Sequence, residues 1–155
     1  MQTFRSNPDT ESKPVPRARI LVVDDDRIIA GLHAAVLEFA GYEVVTSHNG
    51  EDALMQLAFD HFDLVLTDRN MPVLDGADMV LALRSAGSRI PVVMVSGSLA
   101  FSPLPPDVAC EISAALAKPA NRGDVLDAVA RALESKTAGA NPHPVMDAQT
   151  HVCAQ

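Results

Sequence analysis

The chain has 155 residues, 48% of them hydrophobic, and a formal net charge of −8 at pH 7. This length suits one domain with a packed core, and the acidic charge argues against direct DNA binding, which needs a basic patch. No apolar run approaches the roughly 18 residues of a membrane span, and the first 17 residues lack the apolar centre of a signal peptide. These features predict a cytoplasmic protein without a membrane segment.

Both ends of the sequence lack the periodicity of helices and strands. Residues 1–17 are polar and contain prolines, and residues 136–155 are also aperiodic. We expect both segments to be disordered, with a single domain over residues 18–135. A tail of this length cannot form a packed domain, so we expect no DNA-binding or catalytic effector after Ser135.

Short apolar runs alternate with helical patterns in the central part of the chain. These runs lack the polar alternation of a half-exposed sheet, so the strands are expected to be covered on both faces. Their positions, in chain order, are Arg19–Val23, Glu43–Thr46, Leu64–Thr67, Val92–Val95 and Ile112–Leu116.

Helical periodicity fills the gaps between the strands. Gly41 is expected to end the first helix and Asn121 to cap the last. Pro103, Pro105 and Pro106 lie in the fourth connection, where any helix must be short and begin late. The apolar stripes are Ile29, Leu32, Val36 and Phe39 in the first helix, Ala53, Leu54, Leu57 and Ala58 in the second, Met79, Val80 and Leu83 in the third, and Leu126, Val129 and Leu133 in the last.

This alternation predicts an α/β fold with a doubly wound, five-stranded parallel sheet and right-handed crossovers. In such sheets, ligands bind beyond the C-terminal ends of the strands. The polar residues expected there are Asp24, Asp25 and Asp26 after the first strand, Asp68 after the third, Ser96 after the fourth and Lys118 after the fifth.

These residue types suit a hard divalent cation together with a phosphoryl group. Mg²⁺ prefers oxygen ligands and usually takes one or two carboxylates, so it would relieve the repulsion among clustered aspartates. Asp68 would then attack a phosphoryl donor as a carboxylate nucleophile, while Mg²⁺, Lys118 and Ser96 each hold one equatorial oxygen. Asp26 is expected to be the N-cap of the following helix rather than a ligand.

The sequence resembles the receiver domain of response regulators in two-component signalling, over about residues 18–135. The segments that carry this resemblance are ILVVDDD, VVTSHNGEDAL, DLVLTDRNMPVLDG, IPVVMVSG and AKP, in this order. The resemblance implies a flavodoxin-like (βα)5 fold. It also implies no enzymatic activity beyond self-phosphorylation and self-dephosphorylation.

The resemblance assigns a role to each motif residue. Asp68 matches the phosphoacceptor, Ser96 the switch hydroxyl, and Lys118 the invariant lysine, whose bond to Pro119 is often cis in this family. Asp25 is the expected direct metal ligand of the acidic pair, and its neighbour acts largely through water. The Mg²⁺ ligands implied in this way are Asp24, Asp25, Asp68 and the backbone carbonyl of Asn70.

As a receiver, the protein would accept a phosphoryl group from a sensor histidine kinase or a histidine phosphotransfer protein. Output would pass through a downstream protein, through a phosphorylation-dependent homodimer, or by forwarding the phosphoryl group. Two positions depart from the family pattern, because Ala115 and Ala120 stand where many members carry aromatic residues. The usual aromatic relay of the signal therefore cannot operate in this chain.

Two alternatives remain open. In a phosphatase of the haloacid-dehalogenase type, Asp24 and Asp26 would form an Asp-x-Asp motif that Ser96, Lys118 and Gly123–Asp127 complete. That assignment needs Gly123–Asp127 to follow a strand, whereas the periodicity places these residues in a helix, and it leaves TDRNMP unexplained. In a degenerate receiver that only binds proteins, the intact acidic and lysine positions would have no purpose.

Overall fold

The computed structural model of the chain describes residues 16–98 and 102–137. The segments expected to be disordered lie almost wholly outside these residues, so that expectation stays a prediction. No helix in the described part is long and apolar enough to cross a membrane. The elements, in chain order, are β1 (Arg19–Val23), α1 (Arg27–Phe39), β2 (Glu43–Ser47), α2 (Gly50–Phe59), β3 (Leu64–Asp68), α3 (Gly76–Ser85), β4 (Val92–Ser96), α4 (Pro106–Ala109), β5 (Ala114–Ala117) and α5 (Arg122–Thr137).

The strands form one parallel sheet in the order β2-β1-β3-β4-β5, which confirms the predicted α/β, doubly wound fold. The predicted strand boundaries agree with the structure to within one residue, except that β5 begins at Ala114 rather than Ile112. α4 is a single turn that begins at Pro106, as the prolines predict. α5 extends to Thr137, slightly beyond the predicted domain boundary at Ser135.

Alternate residues of each central strand point to opposite faces of the sheet and enter separate hydrophobic cores. Ile20 and Val22 of β1 pack with α1 and α5, whereas Leu21 and Val23 pack with α2 and α3. Because both faces are covered, every residue of β3 and β4 is buried. The continuous apolar runs in the sequence therefore reflect a two-sided core, as predicted.

The packing face of α1 was predicted wrongly. The buried residues of this helix are Ala30, Ala34 and Leu37, whereas Leu32 and Phe39 from the predicted stripe are exposed. The small alanine side chains let the helix backbone approach the sheet, and the larger apolar side chains are displaced toward the side that faces α5. They leave an apolar groove beside α1.

Side-chain caps define the helix ends, as the sequence indicated. The carboxylate of Asp26 accepts hydrogen bonds from the backbone N–H groups of Ile28 and Ile29, at 2.8 and 3.3 Å, which confirms it as the N-cap of α1. Asn121 caps α5 through the N–H of Asp124, at 2.9 Å. Gly41 follows α1 with a φ of 94°, a conformation that favours glycine.

Arg84 of α3 fixes the turn between α4 and β5. Its guanidinium lies 3.1 Å from the Glu111 carboxylate and donates to the backbone carbonyls of Glu111 and Ile90, at 2.6 and 2.9 Å. A planar fork of N–H donors suits several acceptors at once. The C-terminal side of the short α4 is therefore anchored to α3 by one side chain.

The loop between β3 and α3 contains a strained residue. Val73 has a φ of 72°, and the N–H of Leu74 donates to the Pro72 carbonyl at 2.9 Å, which makes Val73 the centre of a γ-turn. A β-branched residue is poorly suited to this backbone conformation. The side chain is 74% exposed, so little packing offsets the strain.

We expect Val73→Asn to raise the free energy of unfolding by about 1 kcal/mol, because asparagine tolerates the left-handed region better than valine. Urea denaturation of the two proteins measures this difference. Ile28→Asn is the matched control, since Ile28 is also 74% exposed but lies in the helical backbone of α1. A gain of equal size in both variants, or none at position 73, would contradict backbone strain as the cause.

Candidate functional site

Three carboxylates meet at the C-terminal edge of the sheet. Asp24 directly follows β1 and Asp68 is the last residue of β3, so these adjacent parallel strands bring the two side chains to the same edge. Carboxylate oxygens of Asp24, Asp25 and Asp68 all lie within 4.8 Å of one another. The structure thus gathers the three acids that the sequence placed in one site, while their roles stay predictions.

The two aspartates that follow β1 differ in environment. Asp24 is only 2% exposed, and its carboxylate accepts a hydrogen bond from the backbone N–H of Asp26 at 2.9 Å. Asp25 is exposed and reaches the cluster from the solvent side. The inner carboxylate is therefore held in place by the start of α1, whereas the outer one is accessible to a hydrated cation.

Lys118 supplies the positive charge inside this cluster. Its Nζ lies 3.3 Å from a carboxylate oxygen of Asp68 and 3.6 Å from one of Asp24. Its backbone N–H donates to the Ser96 carbonyl at 2.9 Å, which ties the end of β5 to the end of β4. The Lys118–Pro119 peptide bond is cis. One ammonium group therefore contacts two carboxylates, which leaves the pocket short of positive charge.

Asp68 shows the electrostatic consequence of this shortage. Its side chain is 8% exposed, and burial raises the pKa of the Asp68 carboxyl above its ordinary value. Repulsion from Asp24 raises this pKa further, while Lys118 opposes both effects only in part. Ionised Asp68 is therefore costly to the folded protein unless more positive charge enters the pocket.

Ser96, at the end of β4, is fully buried. Its Oγ accepts a hydrogen bond from the N–H of Ser98 at 3.2 Å and lies 3.2 Å from the Ser98 Oγ. Asn70 is exposed, and its side-chain amide lies 3.5 Å from the same Ser98 hydroxyl. The predicted metal contact through the Asn70 backbone carbonyl stays a prediction.

Two further residues support the site in ways that the sequence did not indicate. Gly76 has no room for a side chain, because a Cβ there would lie 2.2 Å from the Asp68 carbonyl oxygen. His33 of α1 is half-buried beside Lys118, and burial lowers the pKa of its imidazole despite the nearby Asp24 carboxylate. The histidine is therefore neutral at pH 7 and adds no positive charge to the pocket.

The phosphatase alternative also needs Asp26 and the Gly123–Asp127 segment, and the structure gives these residues other places. The carboxylate of Asp26 is used as the cap of α1. Asp124 and Asp127 are exposed on α5, in a helix rather than after a strand. The motif containing Asp68, which that alternative left unexplained, instead lies at the centre of the acidic cluster.

Comparison with known proteins points the same way as this geometry. The curated relatives include the gliding motility regulatory protein of Myxococcus xanthus, which is 36% identical over 93 residues, 59% of this chain and 12% of that protein. Response regulator MprA of Mycobacterium avium (strain 104) is 41% identical over 78 residues, 50% of this chain and 34% of that protein. The aligned region is thus about a third or less of the length of these relatives.

Solved structures similar to this fold include the chemotaxis response regulator CheY4 of Vibrio cholerae, with a TM-score of 0.66 and 33% identity over 74% of this chain and 98% of that chain. Response regulator protein TrrA from Thermotoga maritima, solved in complex with Mg(2+)-BeF, has a TM-score of 0.67 and 26% identity, covering 74% of this chain and 97% of that one. The family model described as response regulator receiver domain matches residues 20–130, which include the acidic cluster, Ser96 and Lys118. The chain therefore belongs to the response regulator receiver domain family.

Proposed function

We propose that this protein is a phosphorylation-dependent signalling switch in which Asp68 accepts a phosphoryl group from a sensor histidine kinase or a histidine phosphotransfer protein. Receiver domains of this family take their signals from histidine kinases. The observation that carries the proposal is the environment of Asp68, a nearly buried carboxylate 3.3 Å from Lys118 in a pocket with more negative than positive charge. A cation that binds beside such a carboxylate stabilises its ionised form.

Mg²⁺ fits the donor set of this pocket. Three carboxylates offer oxygens within 4.8 Å of one another, and hard oxygen donors are the ligands that Mg²⁺ prefers. The proposed ligands are Asp25, Asp68 and the Asn70 carbonyl, with Asp24 acting largely through water. TrrA, the similar protein from Thermotoga maritima, was solved with Mg(2+)-BeF, which supports the same choice. When bound, Mg²⁺ supplies charge neutralisation to the acids and to the incoming phosphoryl group.

In the proposed reaction, a carboxylate oxygen of Asp68 attacks the phosphorus atom of a phosphohistidine. The P–N bond breaks, and its electron pair leaves with the imidazole of the donor, which takes up a proton. The Lys118 ammonium stabilises one equatorial oxygen and the Ser96 hydroxyl donates to another. Hydrolysis then follows when water attacks the phosphorus, which releases inorganic phosphate and restores the carboxylate.

The groove beside α1 gives the donor a surface to dock on. It has a volume of about 540 Å³ and runs from Lys118 along α1, with Ile29, Leu32 and Val36 among its apolar lining residues. Leu32 is 58% exposed at its rim. An amphipathic helix that carries the donor histidine would bury this apolar stripe while presenting its imidazole to Asp68.

The proposed setting is the cytoplasm, because the phosphoryl group of a sensor kinase comes from ATP. Output is proposed to pass through a downstream protein or a homodimer, for which the β5 edge offers the exposed Ala115 and Ala117. One curated relative, from Mycobacterium tuberculosis, is called transcriptional regulatory protein PrrA. For this chain, we predict no direct DNA binding, because its net charge is −8.

The proposal predicts that the full chain, incubated with Mg²⁺ and acetyl phosphate, gains the mass of one phosphoryl group. Asp68→Asn should abolish the adduct, because the amide is not a nucleophile for phosphorus. Intact-protein mass spectrometry measures both, and the bond should be labile to base, as expected of an acyl phosphate. Asp127→Asn, at an exposed position on α5, is the matched control and should be labelled like the wild type.

A label that survives Asp68→Asn but disappears in Asp24→Asn would overturn this assignment in favour of the phosphatase-type nucleophile. A wild-type protein that takes up no label from acetyl phosphate or phosphoramidate would overturn the switch itself.

Without Mg²⁺, Asp68→Asn should raise the free energy of unfolding at pH 7. The raised pKa means that the folded state holds the Asp68 proton more tightly than the unfolded state, so stability falls as pH rises between the unfolded value of about 4 and the folded pKa. The asparagine removes this penalty, and its advantage should vanish as pH falls below about 4. Urea denaturation across this pH range measures the effect.

The stabilisation of the folded protein by Mg²⁺ is a complementary test. At a hundredfold excess over its Kd, the ion should stabilise the wild type by about 2.7 kcal/mol and Asp68→Asn by less. Asp127→Asn again serves as the control and should follow the wild type with and without Mg²⁺. Equal stabilisation of wild type and Asp68→Asn would place the ion elsewhere.

A further inference from the structure

A continuous path of hydrogen bonds links Ser96 to the residue that follows Asp68. The N–H of Ser98 donates to the Ser96 Oγ at 3.2 Å, and the N–H of Ser102 donates to the Ser98 carbonyl at 2.7 Å. The Arg69 guanidinium donates to the Ser102 carbonyl and lies 3.4 Å from the Ser102 Oγ. The path therefore runs across the connection between β4 and α4 and closes on Arg69.

The backbone of Arg69 is a firm anchor for this path. Its N–H donates to the Val95 carbonyl at 3.0 Å, and its own carbonyl accepts the N–H of Gly76 at 2.8 Å. The residue directly follows Asp68, and its side chain is only partly exposed. The guanidinium thus extends from a fixed point beside the site to Ser102, which lies ahead of α4.

We propose that Arg69 is a positioning residue: its guanidinium holds Ser102, and through Ser98 the Ser96 hydroxyl, in the resting arrangement of the switch. This inference rests on the proposed phosphorylation of Asp68, which supplies the trigger. The Ser96 Oγ accepts the Ser98 N–H, so a turn of this hydroxyl toward a phosphoryl oxygen moves its oxygen away from that N–H. Ser98 then loses an acceptor, and the Ser98–Ser102 segment that Arg69 holds has to rearrange.

This arrangement provides a route for the signal that needs no aromatic residue at position 115. The far side of α4 is fixed to α3 by Arg84 and Glu111, so a change at Ser102 moves the near side of α4 relative to a fixed end. Ala115 lies on β5, outside this path. The departure from the family pattern is therefore compensated by a contact on the opposite side of β4.

The direction of the effect separates this role from simple electrostatics. Removing the positive charge of Arg69 should slow phosphorylation by an anionic donor if the side chain acts only through its charge. If the guanidinium instead stabilises the resting arrangement, its removal favours the arrangement that accepts the phosphoryl group and should speed the reaction. The two roles therefore predict opposite changes in the phosphorylation rate for the same substitution.

The test measures the initial rate of adduct formation on the full chain with acetyl phosphate and Mg²⁺. Arg69→Ala should react faster than the wild type, by about fivefold. Arg69→Lys keeps the charge but loses the fork of donors, so it should also react faster, by a smaller factor. Asp127→Asn, at an exposed position on α5 outside this path, is the control and should react at the wild-type rate.

A second readout uses backbone amide chemical shifts in the absence of any phosphodonor. In Arg69→Ala, the amides of Ser98 and Ser102 should move toward their positions in the wild-type complex with Mg²⁺ and beryllofluoride. A rate that is unchanged or lower, with these amides unmoved, would overturn the role of Arg69 and leave the phosphorylation of Asp68 standing. No adduct on the wild-type protein would overturn the proposed function, and the role of Arg69 with it.

Discussion

The electrostatics of the site follow from the repulsion between two buried carboxylates that share one ammonium group. Asp24 and Asp68 lie at the ends of adjacent strands, and Lys118 contacts both. Removing either acid from water is costly, and one cation cannot neutralise two anions. The raised pKa of the Asp68 carboxyl is the consequence of this imbalance.

The parallel sheet makes such a pocket possible. Its covered faces bury the backbones of β1, β3 and β4, so the packed core holds the side chains at their C-terminal ends. Small residues complete the geometry, since Gly76 lets α3 begin against the Asp68 carbonyl. The core therefore supplies the rigidity that offsets the electrostatic cost of the site.

Much of this architecture could be predicted from the sequence because its causes are local. The apolar runs predicted the strands, and Asp26 and Asn121 were recognisable as helix caps. The polar residues of the site were expected because they directly follow apolar runs, at the ends of the predicted strands. The packing face of α1 could not be predicted in this way, because the distance between helix and sheet decides whether alanine or leucine faces the core. The contacts of His33 and Arg69 depend on residues far along the chain, so spacing alone carried no signal for them.

The contacts that hold the resting arrangement are few, and their number limits how the switch can respond. A net contribution of about 1 kcal/mol for each hydrogen bond gives the path from Ser96 to Arg69 on the order of 3 kcal/mol in total. Raising the activated arrangement from one molecule in a hundred to ninety-nine in a hundred needs about 5.5 kcal/mol of differential binding. Since the phosphoryl group must also overcome the loss of these contacts, we expect a graded equilibrium between two arrangements. A partner that binds only the phosphorylated arrangement would supply the remaining free energy, and this ties full activation to the presence of that partner.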